Sequence, residues 1–229
     1  MTDPDRGKAI PPIIVFGADP SGPLLLCNYL GLHTHLEPIY DTGFVADVAR
    51  HSEELGGRED EAARAAIGEA VEQWRASFWE DESPSLRLPF GPRHVTFLRE
   101  LGPATERLLA ASADPVLAAR AFLEELFAVQ LQWAQKLAWV NSSWRYVEVL
   151  PQLARIFEDG IFLHVAHETA REPSPEGPAR VLRVGYEDLL DDPVSELPRL
   201  CGELGLPDEG EKMVLIFENA VPRPEPASR

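Results

Sequence analysis

The chain has 229 residues and a formal charge of −17, from 21 basic and 38 acidic side chains. Hydrophobic residues make up 45%, too many for wholesale disorder and enough to build a core in one domain over residues 1–229. Charge of this sign leaves no basic footprint, so nonspecific binding to nucleic acid or to an anionic membrane surface is excluded. No apolar run approaches the ~20 residues that cross a bilayer. Met1 to Lys8 is polar and lacks a signal-peptide apolar segment, so the expectation is a cytoplasmic protein. Cys27 and Cys201 are the only cysteines. They lie far apart in apolar surroundings and are expected as free, buried thiols rather than a disulfide or a metal site.

In chain order, Ile10 to Phe16 is a β-branched apolar run ended by Gly17, which predicts a buried strand. Gly17 to Pro23 is turn chemistry, and Leu24 to Leu32 predicts a short buried helix. Phe44 to Glu80 is rich in Ala and Glu, with Ala62, Ala66, Ala70 and Trp74 at helical spacing. Ser83 to Pro92 reads as a loop. Val95 to Ala111 and Pro115 to Leu137 predict two long helices, the second started by Asp114-Pro115. Trp133, Trp139 and Trp144 are expected in the core or along a cleft wall.

The last third alternates. Leu137 to Val140, Ile161 to Val165 and Val181 to Val184 are strand candidates. Trp144 to Phe157 and Val194 to Leu204 are helix candidates, with Gly205 as the stop for the second. The acidic run Glu187 to Asp192 suits the start of a helix. Strands alternating with helices predict an α/β fold with a parallel sheet flanked by helices. The helix-rich stretch of about 44–137 then forms an insertion between the first and second strands.

Strand, glycine-containing turn and helix is the geometry of a phosphate cradle. The turn Gly17-Ala18-Asp19-Pro20-Ser21-Gly22-Pro23-Leu24 lacks the Gly-Lys-Ser/Thr ending of a Walker A loop. It resembles instead the G-x-P-R-S-G-T-T loop of the sulfotransferases that use 3′-phosphoadenosine-5′-phosphosulfate (PAPS). Gly17, Ser21 and Gly22 stand at matching places. The stretch Gly185-Tyr186-Glu187-Asp188-Leu189-Leu190-Asp191-Asp192-Pro193, continuing to Leu204-Gly205-Leu206-Pro207, is similar to that family's R-Y-E-D-L-L-x-D-P…L-G-L-P segment. Leu150 to Phe157 and Ile161 to Val165 are similar to its L-P-x-L-x-x-L-F…F-I-H-L-V segment.

The resemblance implies a P-loop-like sheet of the sulfotransferase type. It also implies transfer of a sulfuryl group from PAPS to a hydroxyl or amine of a small-molecule acceptor. Gly17, Ser21, Gly22, Ser142, His167, Arg171 and Ser174 then stand at the cofactor positions. Glu37, in Glu37-Pro38 after the first helix, stands where a carboxylate base acts, with His35 or His33 as alternative bases. No metal is implied, and a homodimer or protein partner stays open.

This chain departs from the family pattern at its cations. Pro20 replaces the loop Arg/Lys, Ser142 falls in the Lys/Ser-Thr-Pro segment, and His167 replaces the arginine on the 3′-phosphate. Such sites depend on charge-assisted contacts, so weak or absent PAPS binding is expected. The alternative reading is a degenerate homologue without PAPS. It would act as a ligand- or partner-binding protein, or as a repurposed PAPS-independent enzyme.

Overall fold

A computed structural model describes residues 10–19, 21–40, 42–80, 95–111, 114–167 and 180–220. Its centre is a five-stranded sheet: β1 (Ile13–Phe16), β2 (Leu36–Tyr40), β3 (Ala138–Ser142), β4 (Ile161–Ala166) and β5 (Arg180–Gly185). The spatial order is β2-β3-β1-β4-β5, and all neighbours run parallel. β1 is buried along its whole length, which is why it reads as a continuous apolar run rather than an alternating one. Ile13 pairs with Val140 on one side and Ile161 on the other. β1 and β4 are therefore adjacent, parallel and interior to the sheet.

Side chains alternate across the sheet and build a core on each face. Ile13, Val15, Val140 and Leu163 face α1 (Ser21–Leu30), α8 (Pro193–Leu204) and α9 (Gly210–Ala220). Cys27 and Cys201 lie in this layer, both free and buried. Ile14, Phe16, Ile39, Trp139 and Phe162 face the opposite layer, which includes α2 (Phe44–Ser52), α5 (Pro115–Ala134) and α6 (Leu150–Ile156). Between α2 and α5 lie α3 (Asp60–Glu80) and α4 (Val95–Ala110), and α7 (Tyr186–Asp191) follows β5.

The helix boundaries follow local chemistry. Asp114 accepts from the N–H groups of Val116 and Leu117 and caps α5, with Pro115 in the first turn. Asp192 caps α8, which ends at Gly205 in the left-handed conformation, φ 69°. α5 stops at Ala134 because Gln135 adopts φ 56°.

The structure corrects four expectations. Residues 36–40 form a strand, so the helical insertion follows the second strand and not the first. Proline and glutamate made this stretch read as a loop, but β2 is an edge strand, where proline is tolerated. The expected helix 144–157 is a 3₁₀ helix (Trp144–Val149) followed by α6, with Pro151 at the junction. α9 was not expected. Trp139 is in the core and Trp144 stands just after β3, but Trp133 is exposed on α5. The expected loop 83–92 and the polar segment 168–179 lie outside the described residues. Among the described residues, no helix is long and apolar enough to cross a membrane.

Candidate functional site

β1 and β3 are neighbours, but their following helices lie on opposite faces of the sheet, α1 on one and α6 on the other. Parallel sheets bind ligands at such a reversal, in the crevice beyond the C-terminal strand ends. Here the crevice is bounded by Gly17–Asp19 after β1 and Ser143–Trp144 after β3.

The turn after β1 is packed from behind. A Cβ at Gly17 would stand 2.5 Å from the carbonyl oxygen of Val165, and one at Gly22 would stand 2.8 Å from Val165 Cγ1. Both glycines therefore let the turn and the start of α1 sit directly on β4. The space a side chain would fill is taken by the protein itself. Asp19 accepts the Ser21 N–H at 2.8 Å and also the Ser21 hydroxyl. The Ser21 hydroxyl is 3.5 Å from the Tyr186 hydroxyl. The Ser21 hydroxyl, then its N–H, and more distantly His167 hold the Asp19 carboxyl below its ordinary range. The N-terminus of α1 carries a partial positive charge, and the chain supplies its own anion there.

His167 follows β4. Its Nδ1 lies 2.8 Å from Glu187 Oε1, and its ring meets Tyr186 edge-on at 4.7 Å. Arg171 and Ser174 lie outside the described residues. Ser142 ends β3 and is buried, and Ser143 accepts from the Arg145 N–H and so caps the 3₁₀ helix. Arg145 is bound by Asp47 through two bonds of 2.8 Å and donates to the Gly43 carbonyl. Below the crevice, Asn141 donates to the Ile39 carbonyl and to Thr42, and Tyr146 donates to Asn141. All three side chains of this network are buried.

The three candidate bases, Glu37, His35 and His33, lie elsewhere. Glu37 is in β2, not in a loop. It is fully buried and accepts from Gln130 of α5 at 2.6 Å. It pairs in register with Trp139, three positions before Tyr40, which is about 10 Å from the C-terminal end of the strand. His35 immediately precedes β2, and its carbonyl accepts from the N–H groups of Leu137 and Ala138. Its N–H donates to His33 Nδ1 at 3.0 Å. That bond places the His33 proton on Nε2, which donates to the Pro207 carbonyl at 3.0 Å. Thr34 donates twice to Glu209, and Lys136 donates to the His33 carbonyl. His33 and Thr34 thus fasten the turn between α1 and β2 to the loop between α8 and α9, and His35 ties the same turn to the start of β3.

The structure gathers Gly17, Ser21, Gly22, Ser142 and His167 at the C-terminal end of the sheet and leaves His35 and Glu37 toward the other end. Among the described residues, no group of three or more His, Cys, Asp or Glu side chains is placed to hold a metal ion. Sequence reasoning passed over Asp19 and Glu187, which bring negative charge to the crevice, and Tyr186, whose ring and hydroxyl lie against His167 and Ser21. An aspartate two positions before a serine at a helix start is a capping pattern, and that signal was available.

A scan against protein-family models finds no match, and a search of curated proteins finds no relative.

Proposed function

We propose that this chain is a sulfotransferase-like protein that has lost PAPS and serves as a binding protein for a ligand or protein partner. The parallel sheet with its strand–turn–helix at β1 supports the P-loop-like reading. The observation that carries the loss is the Asp19 carboxylate on the Ser21 N–H and hydroxyl. An incoming phosphosulfate meets a negative charge at the donors it needs. Two nearby basic side chains are engaged as well, His167 with Glu187 and Arg145 with Asp47. These residues do not fit PAPS, and no sulfuryl transfer step follows from them. One feature favours a PAPS-independent enzyme as the second reading: Glu187 orients the His167 ring through Nδ1, the arrangement of a general base.

Calorimetry with adenosine-3′,5′-bisphosphate tests the proposal. The expected dissociation constant is weaker than roughly 100 µM, and a value of roughly 10 µM or tighter overturns the reading.

A further inference from the structure

At the opposite end of the sheet from the crevice, a cavity of about 500 Å³ opens beside the N-terminal ends of β1 and β3. This lies within the range of small-molecule pockets, roughly 300–1,000 Å³. Pro11, Pro12, Leu131, Leu137 and Trp139 form apolar walls. Leu137 is 51% exposed, a large apolar side chain open to whatever enters.

The polar edge consists of Arg120, Glu124 and Asp159. Arg120 Nε donates to Glu124 at 2.8 Å, and Nη1 and Nη2 meet the two Asp159 oxygens at 2.9 and 3.2 Å. The guanidinium also lies 6.0 Å from the centre of the Phe157 ring. Three of its five N–H donors are engaged, and its single positive charge already faces two carboxylates, so an incoming carboxylate or phosphate meets more negative than positive charge. Two half-exposed carboxylates face one guanidinium, so the edge carries a net negative charge. Each carboxylate has about four acceptor sites, more than Arg120 fills.

We propose that this cavity binds an amphiphilic amine, its ring-sized apolar body against Leu131, Leu137 and Pro12 and its ammonium group on Glu124 and Asp159. The site is independent of the crevice at the C-terminal strand ends and of the fate of PAPS there.

A matched set of probes tests this on the full chain at physiological salt: 1-naphthylmethylamine, 1-naphthalenemethanol and 1-naphthoate share a ring system and differ in charge. Calorimetry is expected to give the amine a dissociation constant of roughly 1 mM or tighter, at least about tenfold tighter than naphthoate. Methyl NMR is expected to show the amine shifting Leu131 and Leu137 but not Leu215, a still more open leucine on α9. Leu137→Trp, at a half-exposed position, fills the cavity and weakens the amine about tenfold or more. Glu124→Gln with Asp159→Asn removes the preference for the amine over the alcohol while the alcohol still binds. The proposal is overturned if naphthoate binds as tightly as the amine or if Leu137→Trp leaves binding unchanged. It is also overturned if Leu215 shifts as much as Leu137, or if the amine shows no binding up to about 5 mM.

Discussion

Asp19 holds Ser21 by both its N–H and its hydroxyl, so the start of α1 is capped by a carboxylate from its own chain. Replacing Asp19 with Asn removes the charge and keeps an acceptor for the Ser21 N–H. Asp19→Asn is expected to bind adenosine-3′,5′-bisphosphate about tenfold more tightly than the wild type, by removal of a close like-charge contact. Calorimetry on the two proteins side by side checks this. Equal affinities mean that Asp19 does not govern anion entry.

Tyr146 joins Asn141 and Thr42 in a buried network beneath the crevice. Tyr146→Phe keeps the ring and takes away the donor to Asn141. The expected cost is about 1–3 kcal/mol in urea unfolding, the penalty for a buried polar group stripped of a partner. A loss below about 0.5 kcal/mol places the network's stabilising bonds elsewhere.

Much of the fold was readable along the chain. β1 and β4 announce themselves as β-branched runs closed by polar turns, and Asp192, Pro193 and Gly205 mark the two ends of α8. β2 was hidden because Glu37-Pro38 interrupts the apolar residues Leu36, Ile39 and Tyr40, and proline is tolerated in a strand chiefly at an edge. Only the fold brings Gln130 from the far side of a long insertion to satisfy Glu37. At the site, the motif residues cluster as their positions suggest, but Asp19 and Glu187 owe their effect to contacts that span from two residues to a whole sheet crossover. The Asp19–Ser21 contact is legible as a capping pattern, whereas spacing alone does not reveal that Glu187 meets His167.

The clamp around His33 and Glu209 predicts acid sensitivity. Burial holds the His33 imidazole below its ordinary 6.5, against a smaller opposing pull from the Pro207 carbonyl. For Glu209, burial works upward, but the Thr34 donors and Lys212 outweigh it and bring the carboxyl to about 2. Both groups bind protons more readily in the unfolded chain. His33 therefore contributes stability that is present above 6.5 and is lost as pH falls toward its lower folded value. The Glu209 contribution is present above its ordinary 4.5 and is lost between there and about 2. Urea midpoints measured from neutral pH downward are expected to fall in both windows. His33→Gln should flatten the upper window, and Glu209→Gln the lower. Unchanged slopes in both variants refute the clamp.

Cys27 is fully buried and its thiol is pushed up to about 12, chiefly by burial, and burial likewise raises Cys201. A thiolate-directed reagent at mildly alkaline pH is expected to find neither cysteine in the folded protein and both in denaturant. Rapid labelling of the native protein would show that the α1–α8 layer opens.

β1 lies between β3 and β4, and both of those strands come after residue 137. During synthesis, the Ile-Ile-Val-Phe segment leaves the ribosome long before either of its neighbours exists. At roughly 5–20 residues per second, the wait is on the order of ten seconds. For that interval an apolar strand has no edge to join, and the helices 44–134 emerge while it waits. The nascent chain is therefore expected to depend on a holding chaperone until β3 arrives, and slowing translation within the insertion would lengthen the period in which β1 can pair with the wrong partner.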